Sequence, residues 1–305
     1  MQRPAPTEVS EAALDAIAAR HGLGAGTFAQ LAHAGSGNTV YFLGDDYVLR
    51  VPLNDPVRAA GAYTEAIAVP AARAAGVRTP AIVAFDDSRD LLPVPYAVYE
   101  RVPGEPLSAL GRAPEAVPQV WRELGRDLAL LHTGVSADGP AGQLRGDGED
   151  PDPRPWIDDF ARAGYLIPDE ARQLLGWLDR LAPQAQAPVP RRFTHGDVNA
   201  ANILVDPATL TYRALIDWGG AGWADAAWDF CPLALRAVPF VLAGYRAVAP
   251  LDNDAAAEAR IVWHHVQLAL YFIRPDRHPS RAEASARIHR LLAELGRFLE
   301  ANPLL

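Results

Sequence analysis

Lysine is absent from the 305 residues, so all 28 basic side chains are arginines. Wherever a fold ordinarily uses a lysine, this chain must use a guanidinium, which stays charged and grips oxyanions as a fork rather than as a point charge. Cysteine is nearly absent as well. The single Cys231 excludes an intrachain disulfide and a cysteine-based zinc site, and it fits a reducing compartment. No uninterrupted apolar run of about 18 residues occurs, and Met1 to Ser10 has neither the basic start nor the apolar core of an export signal. Together these absences predict a cytoplasmic protein with neither export nor membrane insertion. An excess of positive charge is lacking too: 37 acidic residues against 28 basic ones give a net charge of -9. That balance disfavours a nucleic-acid partner, because phosphate contacts need a basic surface.

What is present is a globular composition, 50% hydrophobic and 21% charged, with no visible internal repeat. The length suits two ordinary domains or one bilobal unit, as a monomer or a homodimer. Ser10 before Glu11, with Leu14, Ile17 and Ala18 on one face and Gly22 after the last turn, predicts a capped amphipathic helix. Phe28 to Ala34, Thr39 to Leu43 and Tyr47 to Val51 read as strands, separated by the turns Gly35-Ser36-Gly37-Asn38 and Gly44-Asp45-Asp46. A helical pattern from Pro56 to Ala75 ends at Gly76, and strands return at Ala81 to Phe85 and Tyr96 to Glu100. Beyond Pro103-Gly104 the pattern is mainly helical, at Gln119 to His132, Pro168 to Leu181, Leu233 to Val248, Ala255 to Ile273 and Arg281 to Leu299. Two proline-rich stretches, Ala137 to Pro155 and Pro183 to Pro190, read as surface loops. The expected class is α+β, with a small antiparallel β-rich lobe over residues 1–101 and a larger helical lobe over 102–305.

The segment richest in chemistry runs His195-Gly196-Asp197-Val198-Asn199-Ala200-Ala201-Asn202, followed by the apolar Ile203 to Val205. A second apolar run, Ala214 to Ile216, leads into Asp217-Trp218-Gly219. Pairing of the two runs as a hairpin brings Asp197, Asn202 and Asp217 into one polar cluster. Such oxygen donors suit a hard Mg²⁺ ion, and a further carboxylate can orient a hydroxyl and accept its proton. Singly, each of these residues is also an ordinary turn or cap former. Their ordered spacing carries the information: an Asp, an Asn five residues on, then Asp-x-Gly on a neighbouring strand is the pattern of the protein-kinase catalytic loop.

With His-Gly-Asp in place of His-Arg-Asp, the segment resembles the aminoglycoside phosphotransferase and choline kinase superfamily. The resemblance implies a bilobal protein kinase-like fold and transfer of the γ-phosphoryl group of a Mg²⁺-bound nucleotide, ATP or GTP, to a hydroxyl. It makes Asp197 the catalytic base, gives Asn202 and Asp217 the magnesium, and has His195 shape the loop. In Gly222 to Asp229, which resembles the family's continuation, Asp225 and Asp229 cap and anchor the next helix.

The N-terminal lobe shows the order such a fold requires. Ser36, Gly37 and Asn38 form the phosphate-facing turn, Arg50 stands on the third strand where most kinases have lysine, and Glu65 is its helical partner. Tyr96 to Gly104 resembles the hinge, with adenine read by the Glu100 carbonyl and the Val102 N–H. Leu124-Gly125 to Leu131-His132 matches a helix end common in the superfamily, with His132 in a packing or capping role. Departures lie at Gly219, Gly220 and Ala221, where many relatives carry charge, and at Asn199, Ala200 and Ala201 inside the loop.

The acceptor is expected against the helical lobe, near Trp156, Asp158 and Asp159 and the helix from Trp263 to Phe272, where acids suit an amine-bearing compound. The expected activity is therefore a kinase of an antibiotic such as an aminoglycoside or macrolide. The alternatives are a kinase of an endogenous alcohol such as choline or a sugar, and a nucleotide-binding kinase-like protein without turnover. The intact Asp197, Asn202 and Asp217 argue against the last, which Arg50 favours. Only a short turn follows Asp217, which places protein substrates last.

Overall fold

The computed structural model describes residues 9–24, 28–30, 37–145, 151–274 and 280–303. Ser10 caps α1 (Glu11–Arg20), its hydroxyl accepting from the Ala13 N–H at 3.2 Å, and Leu14, Ile17 and Ala18 form the buried face. Strands β1 (Phe28–Gln30), β2 (Asn38–Leu43), β3 (Tyr47–Pro52), β4 (Ile82–Asp86) and β5 (Tyr96–Glu100) form one antiparallel sheet in the order β1-β2-β3-β5-β4. Residues 31–34 of the first expected strand, with Gly35 and Ser36 of its turn, lie outside the described residues.

Between β3 and β4 runs α2 (Pro56–Ala74). Asp55 caps it by accepting from the N–H groups of Val57 and Arg58, and Pro56 opens it at a position where no N–H is needed. Successive side chains of a strand point to opposite faces, and β5 shows the consequence. Tyr96 and Val98 join Leu14 and Ile17 in one apolar cluster, whereas Ala97 and Tyr99 join Ala68, Val69 and Ala72 of α2 in another. One face of the sheet is thus covered by α1 and the other by α2.

After Gly104 come helices and two small sheets. The helices are α3 (Pro118–Gly134), α4 (Arg154–Arg162), α5 (Pro168–Ala185), α6 (Val238–Arg246), α7 (Ala257–Ile273) and α8 (Arg281–Ala301). A three-stranded sheet has the order β6-β8-β9, from β6 (Glu105–Pro106), β8 (Ile203–Val205) and β9 (Tyr212–Leu215), and β7 (Arg191–Thr194) pairs with β10 (Gly222–Asp225). Helices α3 and α6 cross backbone to backbone through two glycines. A Cβ on Gly125 would stand 2.0 Å from the Val241 carbonyl oxygen, and one on Gly244 1.9 Å from that of Arg122. Either substitution therefore forces the helices apart.

Several boundaries differ from the sequence expectation. Helix α4 starts at Arg154, inside the stretch expected to be a loop, because Pro155 fits a first helical turn. Helix α5 runs through Pro183 to Ala185, since a proline in the last turn removes only one bond of the ladder. Helices α6 and α7 begin later than expected, after 3₁₀ turns at Leu235–Ala237 and Asp254–Ala256. Among the described residues no helix is long and apolar enough to cross a membrane.

Candidate active site

The hairpin of β8 and β9 pairs Ile203 with Leu215 and Leu204 with Ala214. Just beyond it the Ile216 N–H donates to the Asn202 carbonyl at 2.9 Å, which fixes Asn202 beside Asp217. The Asn202 amide in turn donates to the Asp197 carbonyl at 2.8 Å and to its carboxylate at 3.1 Å, and the Asn199 amide reaches the other carboxylate oxygen at 3.0 Å. Residues 5 and 20 positions from Asp197 thus share one polar cluster. Asp197 itself is exposed and opens onto a cleft. Desolvation of its carboxylate pushes the pKa up from the ordinary value, opposed by the Asn199 amide and the His195 ring, while the Asp217 charge adds to the rise.

The loop carrying Asp197 hangs from Asp229. That carboxylate, 0% exposed, accepts the N–H groups of His195 and Gly196, each at 2.8 Å, and the His132 ring nitrogen Nε2 at 2.9 Å. Burial pushes the Asp229 carboxyl up, but His132 outweighs it and holds the pKa below the ordinary value. His132, expected to pack or cap, lies buried between Asp229 and the Tyr245 hydroxyl. His195 Nδ1 accepts from the Asp197 N–H at 3.2 Å, so Nε2 is the nitrogen that donates to the Ile216 carbonyl at 3.1 Å. Burial lowers the pKa of that ring and keeps it neutral, the tautomer these two bonds require.

Two backbone features complete the loop. Gly196 has φ +83°, and a Cβ there would stand 2.2 Å from the Gly220 carbonyl oxygen, so only glycine fits. Asp217 also takes the left-handed region, at φ 72°, a costly conformation for a side-chain-bearing residue. Trp218 holds this turn down, buried with its indole N–H on the Thr79 hydroxyl at 2.9 Å and its ring edge-on to His195.

Across the cluster stands Arg50 of β3, paired in register with Val40 and Ala97. One guanidinium nitrogen donates to Glu65 at 2.9 Å and the other to Asp217 at 2.6 Å. Glu65 is 5% exposed and also accepts from the Tyr99 hydroxyl. Burial pushes its carboxyl up, and Arg50 opposes that rise without cancelling it. Burial acts the same way on Asp217, but there Arg50 prevails and the pKa falls below the ordinary value. Close passage of α2 over the Asp217 turn makes this three-way contact possible, because Gly61 and Gly219 meet with no side chain between them.

The remaining expected positions are dispersed around this centre. Asn38 opens β2 opposite Pro52, and the Gly37 carbonyl accepts from the Leu53 N–H; Ser36 lies outside the described residues. Glu100 ends β5, its N–H on the Ala81 carbonyl, and Val102 lines a cavity of about 350 Å³ with Val77, Thr79 and Ala214.

A larger cleft of about 1030 Å³ is lined by Gly196 and Asp197 and by Trp156, Trp228, Trp263 and Phe272 among others. Asp158 and Asp159 do not line it. With α4 starting at Arg154, Ile157 and Phe160 face the core, so Asp158 and Asp159 are exposed, and Asp159 pairs with Arg162. An acid that does line the cleft, Asp225, accepts the Ala227 N–H and is paired with the buried Arg260 and with His264, so its carboxyl is held well below the ordinary range even though burial alone would raise it. Trp228 and Arg58 were not singled out from sequence. Trp228 sits inside the recognised 222–229 segment, and the only local signal for Arg58 is the Asp55-Pro56 cap before it.

The sequence pattern of the phosphotransferase enzyme family matches residues 29–271. Among solved structures, wild-type aminoglycoside 2'-phosphotransferase-IIIa in its GDP complex is similar with a TM-score of 0.69 and 16% identity, over 93% of this chain and 99% of its own. Macrolide 2'-phosphotransferase MphH from Brachybacterium faecium gives 0.62 and 23%, over 91% and 97%. A choline/ethanolamine kinase family protein from Mesorhizobium loti gives 0.58 and 20%, over 93% and 94%. No curated protein matches the sequence. The fold is thus the bilobal α+β, protein kinase-like one.

Proposed function

The chain belongs to the phosphotransferase enzyme family and is a phosphotransferase with an alcohol acceptor, and we propose that it moves the γ-phosphoryl group of a Mg²⁺-bound ATP or GTP to a small-molecule hydroxyl. One observation carries the proposal: Asp197, Asn202 and Asp217 share a single polar cluster, with the Arg50–Glu65 pair against it. In this reading residues 1–101 bind the nucleotide, through Ser36, Gly37, Asn38, Arg50 and Glu65 on the phosphate side and through Glu100 and Val102 at the base. Residues 102–305 supply the loop and the acceptor cleft.

The donor set fits a magnesium ion. Asn202 spends its N–H₂ on Asp197, which leaves its side-chain oxygen as a hard donor, and the Ile216 N–H on its backbone carbonyl ties it to the strand that leads into Asp217. Among the described residues no group of three or more His, Cys, Asp or Glu side chains is disposed to hold a metal, so phosphate oxygens and water would complete the shell, as magnesium prefers. Bound there, the ion neutralises charge on the phosphates. Asp197, steadied by two amides, orients the acceptor hydroxyl and takes its proton as the oxygen attacks phosphorus. Arg50 must share itself between Asp217 and the incoming phosphates.

Antibiotics of the aminoglycoside or macrolide kind, for which two of the similar structures are named, are the first acceptors to try; an endogenous alcohol is the rival. A second reading, nucleotide binding without turnover, is favoured by the Arg50–Asp217 pair, which already occupies the metal-side carboxylate. Incubation with Mg-ATP or Mg-GTP and a panel of such alcohols separates the two. Phosphorylated product is expected from the native protein, Asp197→Asn should lower the rate about 10²-fold or more, and a chelator should abolish it. Equal product from both proteins removes Asp197 from its role; nucleotide binding with no product from any acceptor supports the second reading.

A further inference from the structure

Arg58 takes no part in that chemistry, and one contact and two placements locate it. Its Nη1 lies 3.1 Å, and its Cδ 3.3 Å, from where a Cβ on Gly37 would stand, so the side chain rests against the end of the phosphate-facing turn. It lines the same cleft as Gly196 and Asp197. One turn further along α2, Gly61 meets the backbone of Gly219, two residues past Asp217, and residues three apart share a helix face. Arg58 therefore lies beside Gly37, on the cleft that Asp197 lines, and on the helix face that meets the Asp217 turn one helical turn away.

Its charge is also uncommitted. Arg50, Arg78 and Arg260 are each held by carboxylates, whereas among the described residues no acid pairs with the Arg58 guanidinium, whose backbone N–H alone is engaged, by Asp55. Arg50, shared by Glu65 and Asp217, cannot by itself balance a triphosphate. The chain has no lysine to help.

We propose that Arg58 contacts the terminal phosphate of the nucleotide and stabilises its charge during transfer, an assignment that rests on the kinase reading above. In that step the bond between the γ-phosphorus and the β–γ bridging oxygen breaks, and a bond from the γ-phosphorus to the acceptor oxygen forms. The acceptor proton goes to Asp197, and the nucleoside diphosphate leaves with the released electron pair. The fork of a guanidinium spans two oxygens of the migrating group, and Arg58 stands beside Gly37 on the cleft into which Asp197 opens.

Binding of a β,γ-imido nucleoside triphosphate and of the corresponding diphosphate, measured by calorimetry on the native protein, Arg58→Ala and Arg58→Lys, tests this without any acceptor. Arg58→Ala should weaken the triphosphate analogue about ten-fold, the scale of one charge-assisted hydrogen bond, and leave the diphosphate within about two-fold, with Arg58→Lys in between. The side chain is exposed and the Asp55 cap uses only its backbone, so both variants should fold. Equal loss for both nucleotides, or no loss for either, overturns the assignment while leaving the kinase reading intact. Failure of the native protein to bind either nucleotide overturns both.

Discussion

The loop from His195 to Asn202 and the β3–α2 side of the site face each other across Asp217, yet they are held in place differently. The loop is suspended from a buried carboxylate whose partners are two backbone N–H groups and a buried ring, out of reach of any ligand. Opposite, Arg50, Glu65 and Asp217 satisfy one another through a guanidinium, which in the proposed reaction an entering phosphate or metal would re-pair. One side is a frame and the other a charge balance. Mutations should therefore act on stability on the first side and on ligand affinity on the second.

The strongest way to break that contrast is Asp229→Ala. It leaves the His195 and Gly196 N–H groups and the His132 ring without their acceptor in a dry interior, which should cost about 3 kcal/mol or more. Urea unfolding followed by circular dichroism measures it, and an unchanged midpoint would mean that the loop is fixed by something else. Next in size is Arg50→Lys. A single ammonium cannot span Glu65 and Asp217 as the fork does, so one carboxylate is released. Asp217 is 43% exposed, and a screened pair is worth about 1 kcal/mol, so Mn²⁺ binding without nucleotide should tighten about five-fold. Calorimetry that shows the same metal affinity in both proteins would deny Arg50 its place as internal counter-ion.

The smallest effect is in pH. Asp229 and Asp225 have lowered pKa values, so their contribution to stability is complete above the ordinary aspartate value and drains away as the pH falls through the lower folded value. Glu65 is shifted upward, so between its ordinary and raised values the folded form binds more protons, and acidification there favours folding. The buried His195, with its lowered pKa, acts in the opposite sense below the ordinary imidazole value, so thermal melts should change little in mild acid, where the two oppose each other, and fall steeply only below about pH 4. A steep loss already at pH 6 would point instead to the buried, neutral His195, whose lowered pKa makes protonation unfavourable in the folded protein.

Much of this was legible in the residues, for reasons that differ by element. The cap at Ser10, the alternation in β2, the short apolar runs of β3 and β5, and the hairpin behind Asn202 and Asp217 are local, set by nearby turns and residue pattern. The approach of Arg50 to Glu65 followed from family order. Its second bond, to Asp217, spans 167 positions and depends on two glycines meeting between α2 and the following turn, which no local pattern encodes. The direction of Asp158 and Asp159 was not legible, because it depends on where α4 begins, and Pro155 can mark either a loop or a first turn. The pairing of β7 with β10 joins segments about 30 residues apart, each too short to announce itself.

The guanidinium on β3 also decides which reagents can report on this site. Nucleotide probes that acylate an ε-amine find none at that strand or anywhere in the chain. A survey that recognises kinases by such labelling would pass over this protein, whereas dicarbonyl reagents, which condense with guanidines, suit an arginine in that place.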